Sequence, residues 1–174
     1  MGFLSRFTTI LFGSKEDEIV RAKKEVAYAT TKQLYPKEAK AVEDLVKGQY
    51  EKALEQILYT IGNAIRHHAR LSNAEHIKNS AFMERFIEDY GFQYFINGVS
   101  LGHQTQAGTA DVKFQKEISL LMEELHKRMM EDALKSFSSQ KIADCFSAGA
   151  KTAADSGFQT GVYTYNNGYV LAEK

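Results

Sequence analysis

The chain has one cysteine, one proline and no tryptophan among its 174 residues. Each shortage excludes something. Cys145 has no partner within the chain, so there is no intrachain disulfide, and a reducing compartment such as the cytoplasm is the natural expectation. With a single proline, Pro36, long helices meet almost no backbone interruption. Charge of one sign is also lacking: 22 Lys and Arg balance 22 Asp and Glu, a formal net charge of zero. Proteins that grip nucleic acid by displacing counterions carry a basic excess, so nucleic acid is not an expected partner. A neutral protein also has little colloidal repulsion, which hints at a surface covered by a partner or a second copy.

Long apolar runs are missing too. None approaches the roughly 20 residues that a membrane-crossing helix needs. Residues 1–12 are apolar, but Arg6 is their one basic residue and no small-residue cleavage site follows, so no secretory signal is expected. Arg6 also occupies the position where N-myristoylation wants Ser or Thr.

What is present reads as an ordinary globular domain, with 44% hydrophobic and 25% charged residues. The apolar residues recur with helical period. Phe3, Phe7, Ile10 and Leu11 share a face that Gly13 ends. Ser14 and Asp17 open a helix over 15–34, and Pro36 opens another that stops at Gly48. The clearest periodicity, through Tyr50, Ala53, Leu54, Ile57, Leu58, Ile61, Ala64, Ile65 and His68, predicts a helix over 49–71. Ser72 with Glu75 forms a capping box for a helix carrying Ile77, Phe82, Phe86 and Tyr90, followed by a loop at 106–109. Thr109 or Asp111 caps a helix to about residue 135, and Ser138 or Ser139 starts the last one. The expected fold is all-α: an amphipathic segment at 1–13, then a single-domain bundle of five to six helices at 14–174.

Two stretches break the amphipathic rule. Residues 90–110 and 156–172 contain no Asp, Glu, Lys or Arg. Gly91, Gly98 and Gly102 fall on one helical face, and Gly149, Gly157 and Gly161 nearly repeat the pattern. A glycine inside a helix costs about 1 kcal/mol relative to alanine, so these positions need a reason, and close approach of two helix backbones supplies one. The rival reading is a β-hairpin, since Asn97-Gly98 and Asn167-Gly168 both lie between β-formers. Helix is expected at the first site. At the second, a helix to about residue 165 with an aromatic tail is slightly preferred to a small hairpin.

Few residue sets suggest chemistry. Glu123 and His126 have the i, i+3 spacing of a di-iron bundle ligand pair, with Glu84 and His68 as distant candidates to complete it, yet no second such motif exists and a solvated helix face is the simpler account. Arg66, His67, His68 and Arg70 form a basic patch suited to a helix C-terminus, or alternatively to an acidic partner or a pH response. Cys145 lies on an apolar stripe with Ile142 and Phe146. No nucleophile elbow, phosphate loop, dinucleotide fingerprint or zinc-protease motif occurs. Residues 1–87 hold 14 basic and 11 acidic side chains, against 8 and 11 in 88–174, a mild polarity that suits head-to-tail association.

The leading expectation is therefore a non-enzymatic protein-binding module: an adaptor, inhibitor or immunity-type factor, or a homo-oligomer. Its contact residues are expected in the uncharged stretches, at Tyr94, Phe95, Gly98, Gly102, Phe158, Gly161, Tyr163, Tyr165 and Tyr169. Two alternatives stand beside it: a metal-binding bundle or oxidoreductase using Glu123 and His126, and a peripheral membrane protein held by residues 1–12. Neither a cofactor nor a small-molecule substrate is expected.

Overall fold

The computed structural model describes residues 36–68 and 75–169. Among them every regular element is helical: α1 (Pro36–His68), α2 (Glu75–Lys78), α3 (Ala81–Arg85), a π-helical turn (Phe86–Tyr90), α4 (Gly91–Gln106), α5 (Val112–Phe137) and α6 (Gln140–Asn166). The all-α expectation holds. The amphipathic segment 1–13, the helix over 15–34 and Ser72 lie outside the described residues, as does Arg70.

α6 is the centre. It packs most extensively along α4, next along α1, and more lightly on α5. The core between them is aromatic and aliphatic: Ile57, Ile61 and Ile65 from α1, Phe82 and Phe86 from the α3–π segment, Phe95 and Ile96 from α4, Leu125 and Met129 from α5, and Phe146 from α6 are all fully buried. Phe82 meets Phe146 edge-on at 4.6 Å, and Phe137 stacks on Phe146 at 5.8 Å.

Helix boundaries follow local chemistry. Asp111 and Ser139 each accept a hydrogen bond from the backbone N–H three residues on, at 2.7 and 3.4 Å, and so open α5 and α6. Ser80 does the same for α3. α4 and α6 both stop in a Schellman motif with a left-handed glycine. Around Gly108 (φ 71°), Thr109 N–H donates to Gln104 O; around Gly168 (φ 72°), Tyr169 N–H donates to Thr164 O. Asn167-Gly168 is thus a helix stop rather than a hairpin turn. Its tolerance of positive φ serves either purpose. Asn97-Gly98 lies inside α4.

Two boundaries differ from expectation. The separate helices over 36–48 and 49–71 are one 33-residue helix, and Gly48 is interior to it. Val42, Val46, Tyr50, Ile57, Ile61 and Ile65 form one unbroken buried stripe, which overrides the glycine's propensity to stop. The helix expected to follow Ser72 is interrupted at Ser80 and widened at Phe86–Tyr90. There Gly91 N–H donates to Phe86 O, five residues back, and Tyr50 O–H from α1 donates to Ile87 O. Gly91 is needed because a Cβ would sit 2.9 Å from Tyr50 Oη and 3.0 Å from Phe86 O.

Candidate functional site

The two uncharged stretches meet each other. Their glycines interlock backbone to backbone, each helix filling the space the other's missing side chains leave. A Cβ on Gly98 would collide with Ala154 O and lie 2.9 Å from Phe158 N; one on Gly102 would strike Phe158 O. From the other side, a Cβ on Gly157 would strike Phe95 O, and one on Gly161 would strike Val99 O and lie 2.7 Å from His103 N. Gly149 makes room instead for the Ile61 side chain of α1. The expected close approach is present, and it is internal to the chain.

This placement sorts the nine residues expected to bind a partner. Phe95, Gly98, Gly102 and Gly161 are buried in the seam, and Phe158 is half-buried along it. Tyr94 is buried, with no hydrogen-bond partner for its hydroxyl; burial pushes its pKa up to about 12. Tyr169 is half-buried against the core. Tyr163 and Tyr165 face solvent, 49% and 42% exposed, on either side of the fully buried Thr164. Only these last two offer a partner substantial surface without opening the seam.

Sequence reasoning passed over the polar residues inside the seam's open end. His103 is buried, with 9% exposure. Its Nδ1 lies 2.9 Å from Thr164 Oγ1, and the Thr164 hydroxyl donates to Gly161 O at 2.7 Å. The single hydroxyl hydrogen is thereby committed, so Nδ1 donates to Thr164 and the neutral imidazole keeps its lone pair on Nε2. Burial lowers the His103 pKa, with the Gly161 carbonyl offsetting part of the effect. The Tyr165 ring meets the imidazole edge-on at 5.5 Å, and Gln106 bonds Asn166 beside it. The signal was present in the sequence: His103 is the one histidine within either uncharged stretch.

The other candidates stand apart. Arg66, His67 and His68 are exposed in the last turn of α1, with Arg66 bonded to Asn63. Glu123 and His126 are exposed on α5, and Glu84 and His68 on other helices. Among the described residues no group of three or more His, Cys, Asp or Glu side chains could hold a metal ion. Cys145 is buried, its thiol contacts Lys141 O at 3.0 Å, and burial and Asp144 push its pKa up, away from the thiolate that nucleophilic chemistry requires. Among the described residues no helix is long and apolar enough to cross a membrane.

No protein-family model matches the chain, and no curated protein or solved structure matches it.

Proposed function

We propose that the chain is a non-enzymatic protein-binding module of the cytoplasm, an adaptor, inhibitor or immunity-type factor, whose contact surface is the open end of the α4–α6 pair. The observation that carries this reading is the exposure of Tyr163 and Tyr165 on a helix stretch that carries no charged residue. Tyrosine loses little entropy on burial and keeps its hydroxyl wet, which is why it is enriched at protein interfaces. The side chains beside them at the helix end are amides: Asn166, bonded to Gln106, and Asn167. An uncharged rim of this kind suits a partner surface without strong charge, or a second copy of the chain. The buried thiol and the scattered carboxylates are consistent with binding rather than catalysis.

The test is a double substitution, Tyr163→Ser with Tyr165→Ser. Partner capture from a cell extract and light scattering on the eluted protein would be compared for wild type and variant. Loss of at least about tenfold in affinity for the captured partner, or of self-association, is expected where two tyrosine anchors are removed. Undiminished binding by the variant, or a wild-type chain that is monomeric and captures nothing, overturns the reading.

A further inference from the structure

The open end of the α4–α6 seam carries an imidazole that the proposed binding surface does not use. His103 is buried where the two backbones touch: a Cβ on Gly161 would strike Val99 O and press on the His103 N–H. Nδ1 is engaged by Thr164 at 2.9 Å, and Thr164 is itself fully buried and bonded to Gly161 O. Both helix stretches here come from sequence without Asp, Glu, Lys or Arg.

Titratable and charged side chains are carried by the helices packed on α4 and α6. α4 itself carries Tyr94, two and a half turns before His103. α6 contributes Tyr163, Tyr165 and, just past its end, Tyr169, of which Tyr165 touches the imidazole. The start of α5 holds Asp111, Lys113, Lys116 and Glu117, and the start of α1 holds Lys40, Glu43, Asp44 and Lys47. Among the described residues none of these charges acts on His103, whose environment is set by burial and by one backbone carbonyl. An imidazolium formed at this place meets no counter-ion among the described residues.

We propose that His103 and Thr164 form a proton-operated latch. A second proton on the imidazole puts into the seam a charge that no described residue compensates, and the last turns of α4 and α6 part there while the rest of the bundle stays folded. Burial already holds the imidazole below its ordinary value, as a seam that favours the neutral ring requires. The sign follows. A histidine whose folded pKa is depressed contributes its stabilisation in full above the unfolded value, about 6.5, and loses it as pH falls through the folded value. The latch is closed at neutral pH and opens on acidification.

Amide exchange on the full chain, followed between pH 7.5 and 5.0 and corrected for intrinsic rates, reads this directly. The opening constants of amides in 100–106 and 161–166 are expected to rise as pH falls through the latch's titration, by up to about tenfold per pH unit. Amides of α1 around Ile57 and Ile61 are expected to stay level. His103→Gln removes the rise, and Thr164→Ser, which keeps the hydroxyl, retains it. A rise that is absent, that is uniform over the bundle, or that persists in His103→Gln overturns the proposal. Should His103→Gln fail to fold, the ring resonances of wild-type His103 serve instead. Titration below the ordinary imidazole value supports the latch, and titration at or above it overturns it.

Discussion

α4 and α5 both pack on α6, and they do so by opposite means. α4 brings glycine to glycine, so that the backbones themselves touch at Gly98, Gly102, Gly157 and Gly161. α5 stands off on long side chains: Leu125 and Met129 reach the core, Phe137 stacks on Phe146, and Met130 receives the Ser147 hydroxyl. Outside the core, α5 is pinned by Asp132, which takes Arg85 in a two-pronged contact at 2.9 and 3.0 Å and Tyr90 at 3.2 Å. Arg85 and Asp132 are partly exposed, so this pair contributes well under what a buried one would. A backbone seam has no side chains that can shift to absorb a change. A side-chain seam has many.

The largest effect should come from adding one carbon to the backbone seam. In Gly157→Ala the new Cβ falls on Phe95 O, which belongs to a helix backbone and cannot rotate away. Helix propensity favours the alanine by about 1 kcal/mol, but overpacking against a fixed carbonyl outweighs it, for a net loss of about 3 kcal/mol. Urea denaturation measures it. A loss below 1 kcal/mol would show that the two helices slide apart easily, and the contrast with α5 would collapse.

The side-chain seam should yield less. Met129→Ala empties a fully buried site on α5, and a loss of about 2 kcal/mol is expected, at the low end for such truncations because neighbouring Met122 and Met130 are flexible enough to lean in. The sharper readout is local. Amides of α4 and α6 should keep their exchange protection relative to global unfolding in Met129→Ala, whereas in Gly157→Ala they should lose it first. Equal loss of protection in both variants would mean that the helices unfold as one unit.

Much of this was legible in the sequence, because the seam is made of what the chain leaves out. Removing charge from 90–110 and 156–172 and spacing Gly91, Gly98 and Gly102 on one face points to close helix contact without any tertiary information. The helix starts were legible to within a residue or two, at Thr109 or Asp111 and at Ser138 or Ser139, because capping is local chemistry; the caps are Asp111 and Ser139. Three things were not. Gly48 looks like a stop because glycine usually is one, but the stripe from Val42 to Ile65 is long enough to carry the helix through. The π turn at Phe86–Tyr90 has no period of its own and is fixed by Tyr50, 37 residues away. The burial of Phe95, Gly98, Gly102 and Gly161 was the third, because it depends on the two uncharged stretches covering each other, which neither shows alone. Lack of charge marks a surface that avoids water, and the first available cover is the same chain.

The smallest prediction reverses the sign of the largest using the same substitution. Gly62 lies inside α1, in ordinary helical backbone, and a Cβ there would meet nothing within 4 Å. With no neighbour to strike, Gly62→Ala should express only helix propensity and the reduced freedom of the unfolded chain, a gain of about 0.5–1 kcal/mol. Gly157→Ala carries the same intrinsic gain, so the difference between the two variants isolates the packing energy of the seam from the backbone term. Urea denaturation under identical conditions supplies both numbers. If Gly62→Ala were also destabilising, the penalty at Gly157 would belong to helical glycines of this bundle in general, and close approach of α4 and α6 would no longer explain why those glycines are there.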